Sequence, residues 1–169
     1  MKKIFLILGV LVCAVAGIYA QQPDNLAFEI GLGNVWDVGG GGNATAVNYG
    51  FYSVFSDVLA AGVSLTDIND NGSRSTLGLV SILATLVDNV SIRLSMGIAE
   101  PPAGAGIADS PCVGLGLNYD VLLARESNLL VFMGVFADWI GVFDTGPNAL
   151  SRFEDGGAFS IGLRTKIGF

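Results

Sequence analysis

The feature that most restricts the fold of this chain is a period-two alternation between large apolar residues and small or polar ones. In the clearest case Leu26, Phe28 and Ile30 alternate with Ala27 and Glu29. This period is that of a β-strand with two different faces. Clear alternation covers segments 26–36, 90–99, 113–121 and 159–169, and weaker alternation covers 46–55, 58–65 and 129–139. Segment 76–87 is apolar on both faces, so its register stays open. The sequence therefore predicts eight strands.

The segments between these strands alternate in length. Short links at 56–57, 88–89 and 124–128 alternate with longer stretches rich in Gly, Pro, Asn and Asp, at 37–45, 66–75, 100–111 and 141–156. Antiparallel neighbours joined in this way place short turns at one end and long loops at the other. An even number of strands of about ten residues each predicts an eight-stranded, antiparallel, up-and-down transmembrane β-barrel.

A secreted soluble barrel or sandwich would also alternate, and three observations count against it. The inward candidates are mostly Gly, Ser and Ala, which suit a narrow eight-stranded interior. No apolar helix of spanning length follows the leader, and only helices and closed barrels satisfy every backbone group in lipid. Aromatic residues are predicted to form girdles at both membrane interfaces: Trp36, Trp139 and Phe159 near the long loops, and Phe28, Phe55, Tyr119 and Phe169 near the short turns.

Residues 1–20 are predicted to be a cleavable signal peptide, which leaves 21–169 as one barrel domain. Lys2 and Lys3 provide the basic start, residues 4–18 the apolar core, and small residues precede Gln21. A retained membrane helix is the alternative, but the apolar run is shorter than the roughly 20 residues needed to cross hydrocarbon. Cys13 lies inside the apolar core, which disfavours a lipoprotein anchor.

Composition excludes several functional classes. The chain has no histidine, and Cys112 is the one cysteine beyond the leader, which excludes His-based catalysis and the usual zinc sites. The net charge of −7 argues against a nucleic-acid partner. Segment 67–72 resembles the opening of a calcium loop, but the twelfth position is Gly78, so an Asn-Gly turn is the better interpretation. Weak cation binding by the acidic loops stays open, and no metal, cofactor or catalytic residue is predicted.

The strand pattern, together with a final strand ending in Ile167-Gly168-Phe169, resembles the small eight-stranded outer-membrane proteins of the OmpA, OmpX and OmpW group. The resemblance implies a monomer in the outer membrane of a diderm bacterium, with lipid around it, both termini in the periplasm and the long loops outside the cell. It also implies that Phe169 is the signal read by the barrel assembly machinery. Enzymes of the group rely on a histidine that this chain lacks, so no enzymatic activity is expected.

Five charged residues are predicted to face the turn-side half of the lumen. A charge inside a narrow lumen is costly unless it is paired. Because the first and last strands must pair to close a barrel, Glu29 is expected to bind Arg164 and Lys166. Arg93 and Asp120 lie on adjacent strands and are expected to bind each other. These two ionic clusters would block the lower lumen.

The loop-side half is predicted to hold an open vestibule. Small residues would leave space there, and two phenylalanines and a carboxylate would line it: Gly31, Gly33, Gly97, Gly114, Gly116, Phe132, Phe136 and Asp138. The alternative is that these glycines only permit twist and close strand approach. Asp138 would either orient a ligand or lie at a solvated rim.

Two functions fit this interior. The first is an OmpW-like narrow conduit or binding vestibule for small hydrophobic molecules that enter from outside and meet the ionic clusters below. The second is a structural or adhesion protein whose surface loops contact host molecules while the barrel anchors them. The longest connecting segment, 141–156, is of modest length, which slightly favours the first.

Overall fold

The computed structural model describes residues 26–37, 43–101, 106, 108–126, 129–143 and 157–169. They form a closed antiparallel barrel in which each strand pairs with the next and the last pairs with the first, as predicted. The strands are β1 (Leu26–Asp37), β2 (Asn43–Val54), β3 (Leu59–Asp70), β4 (Ser73–Val87), β5 (Val90–Glu100), β6 (Ser110–Glu126), β7 (Leu129–Val142) and β8 (Ala158–Gly168). The predicted signal peptide lies outside the described residues. None of the described residues belongs to a helix with the length and apolar character needed to cross a membrane.

The alternation seen in the sequence corresponds to two faces of the barrel wall. On β1, Glu29 is fully buried, whereas Ile30 and Leu32 are 42% and 61% exposed. The sequence did not define which face of segment 76–87 points inward. On β4, Leu77 and Leu79 are buried and Ile82 is 52% exposed, so the odd-numbered residues face the lumen. This strand looks apolar on both faces because its inward side chains pack in an apolar core inside the barrel.

The connection between β3 and β4 is much shorter than predicted. The expected long loop at 66–75 is a two-residue turn, because β3 continues to Asp70 and β4 begins at Ser73. Asn71 and Gly72 have φ values of 50° and 93°, as required at both central positions of a type I′ hairpin turn. The segment that resembles a calcium loop therefore forms a hairpin turn. The described residues contain no group of three His, Cys, Asp or Glu residues placed to hold a metal ion.

The register around the barrel fixes the tilt of the strands. A path that starts at Trp36 on β1 and steps to the cross-strand partner on each next strand returns to β1 at Leu26, so residue 36 is shifted to residue 26. The residues along this path are Phe159, Trp139, Leu115, Leu94, Ile82, Ala61 and Ser53. Such a stagger goes with a strand tilt of about 35–45°. At about 3.3 Å per residue, this stretch of a tilted strand rises roughly 25 Å, the height of the apolar band of a membrane barrel.

The outer surface carries the residues predicted for the aromatic girdles. Trp36, Phe159 and Trp139 are direct cross-strand neighbours on β1, β8 and β7, on the side of the long connections. Near the short turns the outer surface carries Phe28, Phe55, Tyr119 and Phe169. Between these levels the outward side chains are large and apolar, with Met96 67% and Leu163 63% exposed.

Candidate functional site

Buried side chains occupy the barrel interior on both its loop side and its turn side. A cluster on the loop side, called here the upper apolar cluster, consists of Val35, Ala44, Ala46, Ile68, Leu77, Leu79, Ala99, Cys112, Ile140 and Ala158. A second apolar cluster of Ala27, Tyr52 and Leu83 lies on the turn side. Buried charged side chains occupy the lumen between and beside these clusters. The interior is therefore a layered core rather than an open channel.

Glu29 is the centre of the charged layer. Its carboxylate accepts hydrogen bonds from Arg93 Nη2 at 2.7 Å and from Arg164 Nη1 at 2.8 Å, and none of the three side chains is more than 3% exposed. β1 and β5 lie on opposite walls of the barrel. The Arg93 side chain therefore crosses the lumen to reach Glu29.

Further ion pairs extend from both arginines. Arg164 Nε donates to Asp120 Oδ1 at 2.8 Å, and Arg164 Nη2 binds Asp120 Oδ2. Lys166 Nζ lies 3.3 Å from Asp120 Oδ2, and Arg93 Nη1 lies 3.8 Å from Asp138 Oδ2. These six side chains form what we call the ionic network. The network contains three acidic and three basic side chains, and this pairing of charges offsets the cost of burying them.

The predicted pairing of Arg93 with Asp120 is wrong, and the two predicted clusters are one network. The β5–β6 register places Arg93 opposite Gly116, whereas the Asp120 amide binds the Asn89 carbonyl in the β4–β5 turn. Arg93 therefore lies too far up the barrel to meet Asp120. The predicted pair of Glu29 with Arg164 is present, while the recorded partner of Lys166 is Asp120.

Two glycines allow charged side chains from alternate strands to meet. Arg93 and Asp138 are the partners of Gly116 on either side of β6, and Asp120 and Arg164 are those of Gly134 on β7. A Cβ atom at Gly116 would overlap Asp138 Oδ1, and one at Gly134 would overlap Asp120 Oδ1. The ion pairs thus lie over strand positions that have no side chain.

The space predicted at Gly31 and Gly33 is filled by the Phe136 ring. A Cβ atom added at Gly31 would lie 3.1 Å from Phe136 Cε1, and one at Gly33 would lie 2.9 Å from Phe136 Cζ. At Gly97 an added Cβ would overlap the Gly78 carbonyl, so this glycine permits close strand approach. These three positions do not form a vestibule.

The prediction that Phe132 lines the loop-side half of the lumen is also wrong. It lies at the turn side of the lumen, where its ring centroid is 4.7 Å from Lys166 Nζ. A cation over an aromatic face is an attractive arrangement. Phe132 therefore belongs to the lower closure of the barrel and not to its loop-side half.

A small cavity lies in the lumen and is lined in part by the upper apolar cluster and in part by the ionic network. It includes four residues of the predicted vestibule, Gly114, Gly116, Phe136 and Asp138. Its volume is about 20 Å³, which is sufficient for water.

Sequence reasoning missed three polar or aromatic residues of the interior. Tyr52 is 1% exposed, and Asn48 Nδ2 lies 3.5 Å from Glu29 Oε1. Asn118 Oδ1 accepts a hydrogen bond from Arg93 Nη2 at 3.2 Å. Asn48 and Tyr52 share the inward parity of Ala46, so the weak alternation on β2 contained a signal for both.

Solved structures with the same architecture exist, although no known protein family and no curated protein matches the sequence. Neisserial surface protein A superposes with a TM-score of 0.61 at 16% identity, over 87% of this chain and 96% of that one. The N-terminal β-barrel domain of Pseudomonas aeruginosa OprF superposes with a TM-score of 0.53 at 11% identity, over 86% and 98%. This chain therefore has the fold of the small eight-stranded outer-membrane β-barrels.

Proposed function

We propose that this protein is an integral outer-membrane barrel whose lumen is closed to solutes, and that its function is carried by the surface segments it anchors. The observation that supports this proposal is the packing of the interior. The upper apolar cluster and the ionic network occupy the lumen, and the cavity between them has a volume of about 20 Å³. A barrel filled in this way is suited to rigid display of its connections.

Contact with lipid follows from the outer surface. Leu32, Met96 and Leu163 are each more than 60% exposed, and they belong to a continuous apolar belt. An apolar surface of this extent is a liability in water but is stabilised by acyl chains. Because β1 and β8 pair, the sheet has no free edge along this belt and needs no second copy to cover one.

The orientation we propose has both termini in the periplasm and the long connections outside the cell. Phe169, 42% exposed at the end of β8, would then be available to the barrel assembly machinery. A membrane-impermeant maleimide tests the orientation in intact cells. It should label Ser73→Cys, beside the β3–β4 turn, and should spare Asp88→Cys in the β4–β5 turn; the opposite pattern would reverse the assignment.

The second candidate function is a narrow conduit or binding site for small hydrophobic molecules. Its support is that the cavity is lined in part by apolar side chains, among them Val35, Ile68 and Ile140. Passage would require the Phe136 ring and the ionic network to move aside. Since buried ion pairs are costly to separate, we place this function second. We propose no enzymatic activity for the barrel.

Single-channel recording in planar bilayers separates the two candidates. The closed barrel should give only small or rare conductance steps, because the side chains of the ionic network occupy the lumen. Liposome uptake with apolar and charged solutes should likewise match that of protein-free liposomes. Large, steady conductance steps, or uptake of an apolar solute that depends on the protein, would contradict the closed lumen and favour the conduit.

A further inference from the structure

The small cavity brings together three buried polar atoms that have no hydrogen-bond partner among the described residues. They are Arg93 Nε, Asp138 Oδ1 and Asn48 Oδ1, and all three residues line the cavity. Arg93 and Asn48 are 3% and 4% exposed. Buried polar groups in folded proteins nearly always have a partner, so three such atoms around one cavity point to a bound molecule.

The chemistry of these atoms restricts what can bind. Arg93 Nε is a donor, whereas Asp138 Oδ1 and Asn48 Oδ1 are acceptors. A cation would meet the guanidinium of Arg93, and an anion would meet the carboxylate of Asp138. The ionic network already balances three acids against three bases, so an added ion would leave a net charge in the barrel interior. The ligand must therefore be neutral and able both to donate and to accept.

The size of the cavity is compatible with water. Its volume of about 20 Å³ is sufficient for a bound water molecule. We propose that the cavity is an internal hydration site, in which water accepts a hydrogen bond from Arg93 Nε and donates to Asp138 Oδ1 and Asn48 Oδ1. Residues of the upper apolar cluster, among them Val35, Ile68 and Ile140, line the other part of the cavity.

A methyl group placed in the cavity tests the proposal. A Cβ atom at Gly114 would lie 3.4 Å from Ser95 Cβ and 3.5 Å from the Trp139 carbonyl oxygen, which are ordinary contacts. Gly114→Ala therefore fits without a clash but takes space that water needs. If the site is dry, filling it should stabilise the barrel. If water is bound, its displacement leaves Arg93 Nε, Asp138 Oδ1 and Asn48 Oδ1 without partners and should destabilise the barrel.

The matched control is Gly168→Ala. Its added Cβ would also meet only ordinary contacts, at 3.7 Å or more, and Gly168 does not line the cavity. Relative to this control, Gly114→Ala should raise the equilibrium constant for unfolding by about tenfold. An unchanged or lower constant would contradict bound water.

Nuclear magnetic resonance in detergent micelles gives the direct readout. The unmodified protein and Gly168→Ala should show cross-relaxation between water and the amide protons of Ser95 and Gly114, and Gly114→Ala should lose the signal at Ser95. Absence of cross-relaxation in the unmodified protein would overturn the proposal even if Gly114→Ala fails to fold. Persistence of the signal in Gly114→Ala would place the water elsewhere and overturn it equally.

Discussion

Glu29→Gln is expected to lower the free energy of unfolding by about 3–5 kcal/mol, the range found when one partner of a buried ion pair is removed. Glutamine preserves the size of the side chain but not its charge. Arg93 and Arg164, which both donate to the Glu29 carboxylate, would then share a neutral amide inside the lumen. Equilibrium unfolding by urea in lipid vesicles measures the change.

The matched control for this prediction is Asp67→Asn. Asp67 also pairs with an arginine, but its partner Arg74 is 68% exposed at the barrel surface. Exposed ion pairs contribute about 0–1 kcal/mol, so this variant should change the unfolding free energy by no more than that. If Glu29→Gln had an effect as small as Asp67→Asn, the ionic network would not be a stabilising centre of the lumen.

Phe136→Ala is expected to destabilise the barrel by about 3–5 kcal/mol, the usual cost of truncating a buried phenylalanine. The ring fills the space above Gly31, Gly33 and Gly162, and these positions have no side chains that could move into the void. The same unfolding measurement reports the loss. Phe159→Ala is the control: this phenylalanine faces outward, so lipid or detergent refills its space and the loss should be smaller.

A double-mutant cycle shows whether the contact itself is responsible. The only close neighbour of a Cβ atom at Gly31 is the Phe136 ring, at 3.1 Å, since its other neighbours lie at 3.5 Å or beyond. Gly31→Ala should therefore be tolerated better in the Phe136→Ala background than alone. Additive effects of the two substitutions would indicate that the ring does not lie over Gly31.

The architecture was predictable because period-two alternation is a direct consequence of strand geometry. The parity of Glu29 among Leu26, Phe28 and Ile30 places it inside the barrel, and the structure buries it completely. The pairing of β1 with β8 follows from closure, and it brings Glu29 close to Arg164. The sequence was therefore sufficient to predict which side chains face the lumen and which face outward.

The contacts across the lumen were less predictable because they depend on register and tilt. Although β5 and β6 are adjacent, their register in the tilted barrel pairs Arg93 with Gly116 and leaves Asp120 further down β6. The side chain of Arg93 instead reaches the opposite wall. In the same way, the free space suggested by Gly31 and Gly33 is taken by Phe136 from β7, which is two strands away.

Paramagnetic broadening of methyl resonances tests the central claim, that the outer face contacts lipid and the inner face forms a packed core. In nanodiscs, a spin-labelled fatty acid should broaden the methyl signals of the outward Leu32 and Leu163 and leave those of the inward Leu77 and Leu79 unchanged. A water-soluble paramagnetic chelate should broaden none of the four. Broadening of Leu77 and Leu79 by the chelate would show a water-filled lumen, and their broadening by the fatty acid in place of Leu32 and Leu163 would show an inverted barrel wall; either result would contradict the account.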